Sequence, residues 1–118
     1  MLKVYAYKGC ETCRKALKWL EAHGVAHEVR AIREQPPTVK ELAQVLAARG
    51  ELRSMFNTSG QDYRSMGMKE KLPTLSEKAA LELLANHGNL VKRPLALDEA
   101  AQVFLVGFKE AEWAAALG

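Results

Sequence analysis

The chain has only two cysteines and three histidines, no internal repeat, and no apolar run that approaches the length of a membrane span. Each shortage excludes a class of protein. A structural zinc site needs four ligands, and beyond Cys10 and Cys13 only His23, His27 and His87 remain, without a recognised paired spacing. No bound metal is expected. A spanning helix needs about 20 apolar residues, and the first residues lead straight into strand-like sequence rather than an apolar leader, so a cytoplasmic location is expected. The formal net charge of +3 is spread along the chain and lacks the clustered basic footprint of a nucleic-acid binder. Neither direct nucleic-acid binding nor membrane attachment is expected. What remains is one domain, residues 1–118, with the apolar and charged fractions of an ordinary soluble protein.

Both cysteines fall in one tetrapeptide, Cys10-Glu11-Thr12-Cys13, where a strand turns into a helix. Leu2-Lys3-Val4-Tyr5-Ala6-Tyr7 is rich in β-favouring residues, and Gly9 permits a tight exit. Cys13, Ala16, Leu17 and Leu20 then recur at the spacing of one helical face, and Gly24 supplies a stop. Cys10 is thereby placed at a helix N-terminus, where free backbone N–H groups and the helix dipole favour a thiolate, as would Lys8, Arg14 and Lys15 if near. It is the expected nucleophile. Cys13 follows one turn later, at a Cα separation of roughly 5 Å that a disulfide accepts, so it can resolve a mixed disulfide on Cys10. Thr12 is a candidate helper in capping the helix. Half of a zinc site and two unreactive thiols are the other readings of the pair. In a reducing compartment a close pair is more often catalytic or redox-sensing than a permanent staple.

Val25 to Ile32 reads as a second strand, parallel to the first because a helix joins them. Pro36-Pro37 breaks the chain, and Thr38 with Glu41 forms a capping box ahead of a helix with Val39, Leu42, Ala43 and Leu46 on one face, ending near Gly50. Residues 52–68 read as a loop with helical pieces. Thr74 and Ser76 are rival caps for a helix carrying Ala80, Leu81, Leu84 and Ala85. A C-terminal hairpin uses Leu95-Ala96-Leu97 and Gln102 to Val106, with Pro94 at a strand edge, a bulge or a cis turn, and Glu110 to Leu117 forms a last helix. The whole is an α/β chain of thioredoxin-like order, with a helical insertion between the second strand and the hairpin.

Gly9-Cys10-Glu11-Thr12-Cys13-Arg14-Lys15-Ala16, Phe56-Asn57-Thr58-Ser59-Gly60 with Tyr63-Arg64, Val91-Lys92-Arg93-Pro94-Leu95, and Val106-Gly107-Phe108-Lys109 occur in the order in which similar motifs occur in one family. Over nearly its whole length the chain resembles the arsenate reductase and Spx/MgsR family. The resemblance implies a thioredoxin-like domain in which Cys10 is the redox nucleophile and Arg93, before a cis Pro94, faces it. A guanidinium offers fixed, charge-assisted donors to a thiolate or an oxyanion.

The family has two branches. Arsenate reductases of the glutaredoxin-linked type surround the oxyanion with three arginines, of which Arg93 alone has a clear counterpart here; Asn57 stands where the second would be, and the third falls in Val106-Gly107-Phe108. Each charge-assisted hydrogen bond lost is worth roughly 1.5–3 kcal/mol, so arsenate reduction is expected to be inefficient. Arg64 and Lys92 are candidates to replace the missing charge. Cys13, usually absent from those enzymes, permits a dithiol–disulfide cycle with glutathione, glutaredoxin or thioredoxin as electron donor and no bound cofactor. Spx-type members also carry the cysteine pair and resemble a redox switch that binds the C-terminal domain of the RNA polymerase α subunit. That branch implies a regulator, with Gly60 as a possible contact for the partner.

Overall fold

The computed structural model describes all 118 residues, as a four-stranded sheet with helices on both faces. Strand β1 (Leu2–Ala6), helix α1 (Glu11–Ala22) and strand β2 (His27–Ala31) make the parallel βαβ opening, with Val4 opposite Val29 in the register. Strands β3 (Leu95–Asp98) and β4 (Val103–Val106) form the antiparallel hairpin, and β3 pairs antiparallel with β1. The sheet order is therefore β2-β1-β3-β4, in the thioredoxin-like arrangement expected.

Alternation along the strands builds two cores, because successive side chains of a strand point to opposite faces. Leu2, Val4 and Ala6 of β1, Ala96 of β3 and Leu105 of β4 face one layer, which α1 and the last helix α6 (Glu110–Leu117) cover with Cys13, Ala16, Trp19, Leu20 and Trp113. Tyr5, Leu95, Leu97 and Val106 face the other, larger layer. That layer is supplied by the insertion: α2 (Val39–Arg49), α3 (Gln61–Ser65), α4 (Met68–Lys71) and α5 (Glu77–Asn86). Trp113 is fully buried and donates its indole N–H to Gly107 O at 3.0 Å, which fixes α6 to the end of β4.

The helix starts follow local chemistry. Thr38 and Glu41 make the reciprocal capping box of α2, and Gly50 ends that helix in the left-handed conformation at φ 80°. Of the rival caps for α5, Ser76 takes the role and accepts the Ala79 N–H at 3.1 Å, while the Thr74 hydroxyl bonds back to Lys71 O. The buried face of α2 differs from the expected one: Leu42 and Val45 are buried and Leu46 partly so, while Val39 and Ala43 are exposed. The reason is Glu41, which is buried on that face and accepts hydrogen bonds from Tyr5 Oη and Lys3 Nζ, both at 2.7 Å. These contacts turn the helix about its axis so that the polar pair on β1 is satisfied.

No helix is long and apolar enough to cross a membrane. The Arg93–Pro94 peptide is cis, the geometry implied by the family resemblance.

Candidate active site

Cys10 is the N-cap of α1. Its backbone is extended, its carbonyl accepts the Arg14 N–H at 3.1 Å, and its Sγ accepts the Cys13 N–H at 3.2 Å. The sulfur thus does what an Asp or Ser oxygen does at other helix starts. Thr12, exposed in the first turn, is left without the capping role expected of it.

The two thiols are free and differ sharply in environment. Cys10 is half-buried, and burial by itself would raise its pKa; the Cys13 thiol, the Cys13 N–H and the Arg93 guanidinium together outweigh that and hold Cys10 below its ordinary value. Cys13 is 1% exposed, and burial, reinforced by the neighbouring Cys10, pushes its thiol up to about 12. The surroundings favour ionisation of Cys10 and oppose that of Cys13.

Arg93 is the cation beside Cys10. The basic residues nearer in sequence face elsewhere: Arg14 donates Nη1–H to Lys8 O at 2.9 Å, and Lys15 pairs with Glu11 at 3.8 Å. Arg93 lies over the Tyr7 ring, its Cζ 5.1 Å from the centroid, and Arg33 lies 4.5 Å from the same centroid. Both guanidiniums line a small cavity of about 160 Å³ with Asn57, Gly60, Asp62 and Asn89. Asn57 and Gly60 are therefore brought to Arg93. Arg64 and Lys92 are not: Arg64 is exposed beside Thr58, Gly67 and Lys69, and Lys92 lines a separate depression with Glu51 and Arg53. Pro94 is buried behind Arg93.

Arg33 is the site residue that no local pattern marked. It sits just after β2, and its tertiary partners place it in the cavity: Asn89, which accepts its Nε–H at 2.7 Å, and the Tyr7 ring beneath it. Tyr7 also borders a larger, mainly apolar cavity of about 530 Å³ between α1 and β2, with Lys8 and Arg14 in its wall. Two of the three histidines are engaged with backbone: His23 and His27 donate Nδ1–H to Trp19 O and Val25 O, each at 2.8 Å. No three His, Cys, Asp or Glu side chains are grouped as metal ligands.

Known proteins resemble this arrangement over nearly the whole chain. The profile described as the ArsC family matches residues 5–116. YusI of Bacillus subtilis is 49% identical over 110 residues, covering 92% of each chain. The global transcriptional regulator Spx 2 of Oceanobacillus iheyensis is 32% identical over 102 residues, which are 86% of this chain and 73% of that protein. The crystal structure of an ArsC family related protein from Bacteroides fragilis superposes with a TM-score of 0.90 at 40% identity, covering 98% of this chain and 96% of that one.

Proposed function

The chain belongs to the ArsC family, and on that premise we propose that it is a cytoplasmic thiol–disulfide oxidoreductase with Cys10 as nucleophile and Cys13 as resolving thiol. The observation that carries the reading is the split between the two sulfurs, one lowered by Arg93 and the Cys13 N–H, the other buried and raised. In the first step the Cys10 thiolate attacks one sulfur of a substrate disulfide, a new S–S bond forms, and the other substrate sulfur leaves as a thiolate. Cys10 is now neutral. Because its charge is one cause of the raised Cys13 value, forming the mixed disulfide eases ionisation of Cys13. Cys13 then attacks the Cys10 sulfur, its proton passes to the departing substrate thiolate, and the internal disulfide closes. Two electrons have moved from the two protein thiols to the substrate, and glutathione, glutaredoxin or thioredoxin returns them.

Arg93 serves this cycle by holding the attacking thiolate, and by the family resemblance it is the one guanidinium of the oxyanion set with a clear counterpart in this chain. Arsenate is accordingly a poor substrate. The test is turnover of hydroxyethyl disulfide beside arsenate, with glutaredoxin as donor: Cys10→Ser abolishes disulfide turnover, and Cys13→Ser accumulates a mixed disulfide on Cys10 that mass spectrometry detects. Full turnover by Cys10→Ser, or arsenate consumption exceeding that of the disulfide, overturns the reading.

The similarity to Spx 2, a transcriptional regulator, favours a second reading, in which oxidation of the same pair gates binding to the RNA polymerase α subunit. Pull-down of the α C-terminal domain by reduced and by oxidised protein tests it, and no capture in either state removes it.

A further inference from the structure

The two edges of the sheet are finished differently. Beside β4 the Gly107 N–H bonds to Pro94 O, so the antiparallel alternation turns the Phe104 N–H and C=O outward, and Arg49 of α2 donates Nη1–H to that carbonyl at 3.5 Å. Strand β2 has no such cover. The Ile32 N–H bonds to Ala6 O at 3.0 Å, and in a parallel ladder every second residue repeats that direction, so Arg30 and Glu28 turn their backbone groups to β1. His27, Val29 and Ala31 therefore point theirs away from the sheet. Neither backbone group of Val29 has a partner, and of the three carbonyls only Ala31 O is taken, by the N–H groups of Glu34 and Gln35. The side chains alternate as well. Val29 and Ala31 face the α1 side, where with Leu17 they wall the apolar cavity of about 530 Å³, and Val29 at 49% is the one exposed large apolar side chain of the sheet. Glu28 and Arg30 face the other side and pair with each other at 3.2 Å.

An open row of donors and acceptors is a template for another strand, and the charges along the edge decide which strands fit. Here they fit a copy of themselves. Run antiparallel with Val29 opposite Val29 of the partner subunit, two β2 strands exchange both hydrogen bonds at that residue, and Ala31 N–H reaches the carbonyl of His27 of the partner subunit. Glu28 then lies opposite Arg30 of the partner subunit, and the reverse, at the non-hydrogen-bonded positions where side chains come closest. A slip to either neighbouring in-phase register sets Glu28 against Glu28 of the partner subunit or Arg30 against Arg30 of the partner subunit, so one register is singled out. We propose that β2 pairs, across a two-fold axis at Val29, with β2 of a second copy of this chain, making one sheet continuous through two molecules. The pairing covers the Val29 side chains and supplies partners to the open edge groups. Arg93 leads into β3, on the far side of β1 from this edge, so the pairing makes no use of the site at Cys10.

Sedimentation equilibrium of the reduced chain over a range of loading concentrations reads the association directly. A monomer–dimer equilibrium is expected. Val29→Pro removes the central donor; that N–H faces no strand of its own chain, a position where an edge strand tolerates proline, so the variant should keep its circular dichroism spectrum and lose the dimer. Glu28→Arg and Arg30→Glu each set like charges opposite one another at both pairs, and each should weaken self-association about tenfold or more. Mixed in equal amounts, these two charge variants are complementary at both pairs and should form a heterodimer where neither associates alone. They are surface changes, and they decide the matter should Val29→Pro fail to fold. A dimer that persists unchanged in Glu28→Arg and in Arg30→Glu, or a mixture of the two that fails to associate, overturns the proposal. So does a chain that stays monomeric up to its solubility limit, which leaves this edge to a strand of another protein.

Discussion

Cys13 donates its backbone N–H to Cys10 Sγ at 3.2 Å while burying its own thiol at 1% exposure, so a single residue activates one sulfur and withholds the other. The backbone donor is present whatever side chain stands at position 13. Replacing the cysteine therefore removes the resolving thiol without removing that part of the activation.

Alkylation as a function of pH reads the same relationship. With iodoacetamide and mass spectrometry, Cys10 is expected to react with an inflection below that of a free thiol, and Cys13 to stay unmodified through neutral pH. Arg93→Gln removes the cation beside the thiolate, so the Cys10 inflection rises and its rate at neutral pH falls. Equal reactivity of the two thiols contradicts the assignment of roles.

Glu41 predicts an acid sensitivity of the fold. Burial opposes its charge, yet Lys3, the Thr38 N–H and Tyr5 outweigh burial and hold the carboxyl below its ordinary range. A depressed carboxyl stabilises the fold fully above the unfolded value and loses that contribution as pH falls through the folded one. Urea denaturation is expected to show wild-type stability dropping across that acid window, whereas Glu41→Gln flattens the drop and costs about 1–3 kcal/mol at neutral pH.

The rival caps of α5 separate by mutation. Ser76→Ala loses the bond to the Ala79 N–H and should cost about 1 kcal/mol, while Thr74→Ala should cost clearly less, because its hydroxyl caps no helix start. Thermal melts of the two variants measure the difference.

Two glycines separate a clash from backbone strain. At Gly88 a Cβ would lie 1.9 Å from Ile32 O, so Gly88→Ala must push the turn that follows α5 away from the residues that follow β2, at roughly 3 kcal/mol. At Gly24, with φ +64° and nothing within 4 Å, alanine meets only the left-handed penalty of about 1–2 kcal/mol. Chemical denaturation with Gly24→Ala losing more than Gly88→Ala refutes the close approach.

How much could be read from the chain divides along sequence separation. The strand into α1, the Cys10 placement and the Thr38–Glu41 box depend on residues a few positions apart, and they stand as expected. Glu41 also serves Tyr5 and Lys3, 36 and 38 positions away, and no periodicity in α2 could signal that its buried face would follow a carboxylate. Arg33 is the same case at the site. Nothing near it marks a ligand contact, and its place is set by Asn89, 56 positions on, and by the Tyr7 ring on the neighbouring strand end. Arg64 and Lys92 lie close in sequence to Asn57, Gly60 and Arg93, yet short turns send them to other surfaces.

Trp19 and Trp113 are the chain's two tryptophans, and they meet edge to face, 6.4 Å between centroids, in the layer that also contains Cys13. Indole emission is therefore a one-sided optical probe. It reports on the layer built by α1 and α6 and is silent about the helical insertion across the sheet, where the far-ultraviolet circular dichroism signal draws on four helices. If fluorescence and dichroism unfold along one curve, the two layers melt as one cooperative unit; if the emission shifts first, the layer that carries the cysteines detaches while the insertion still holds.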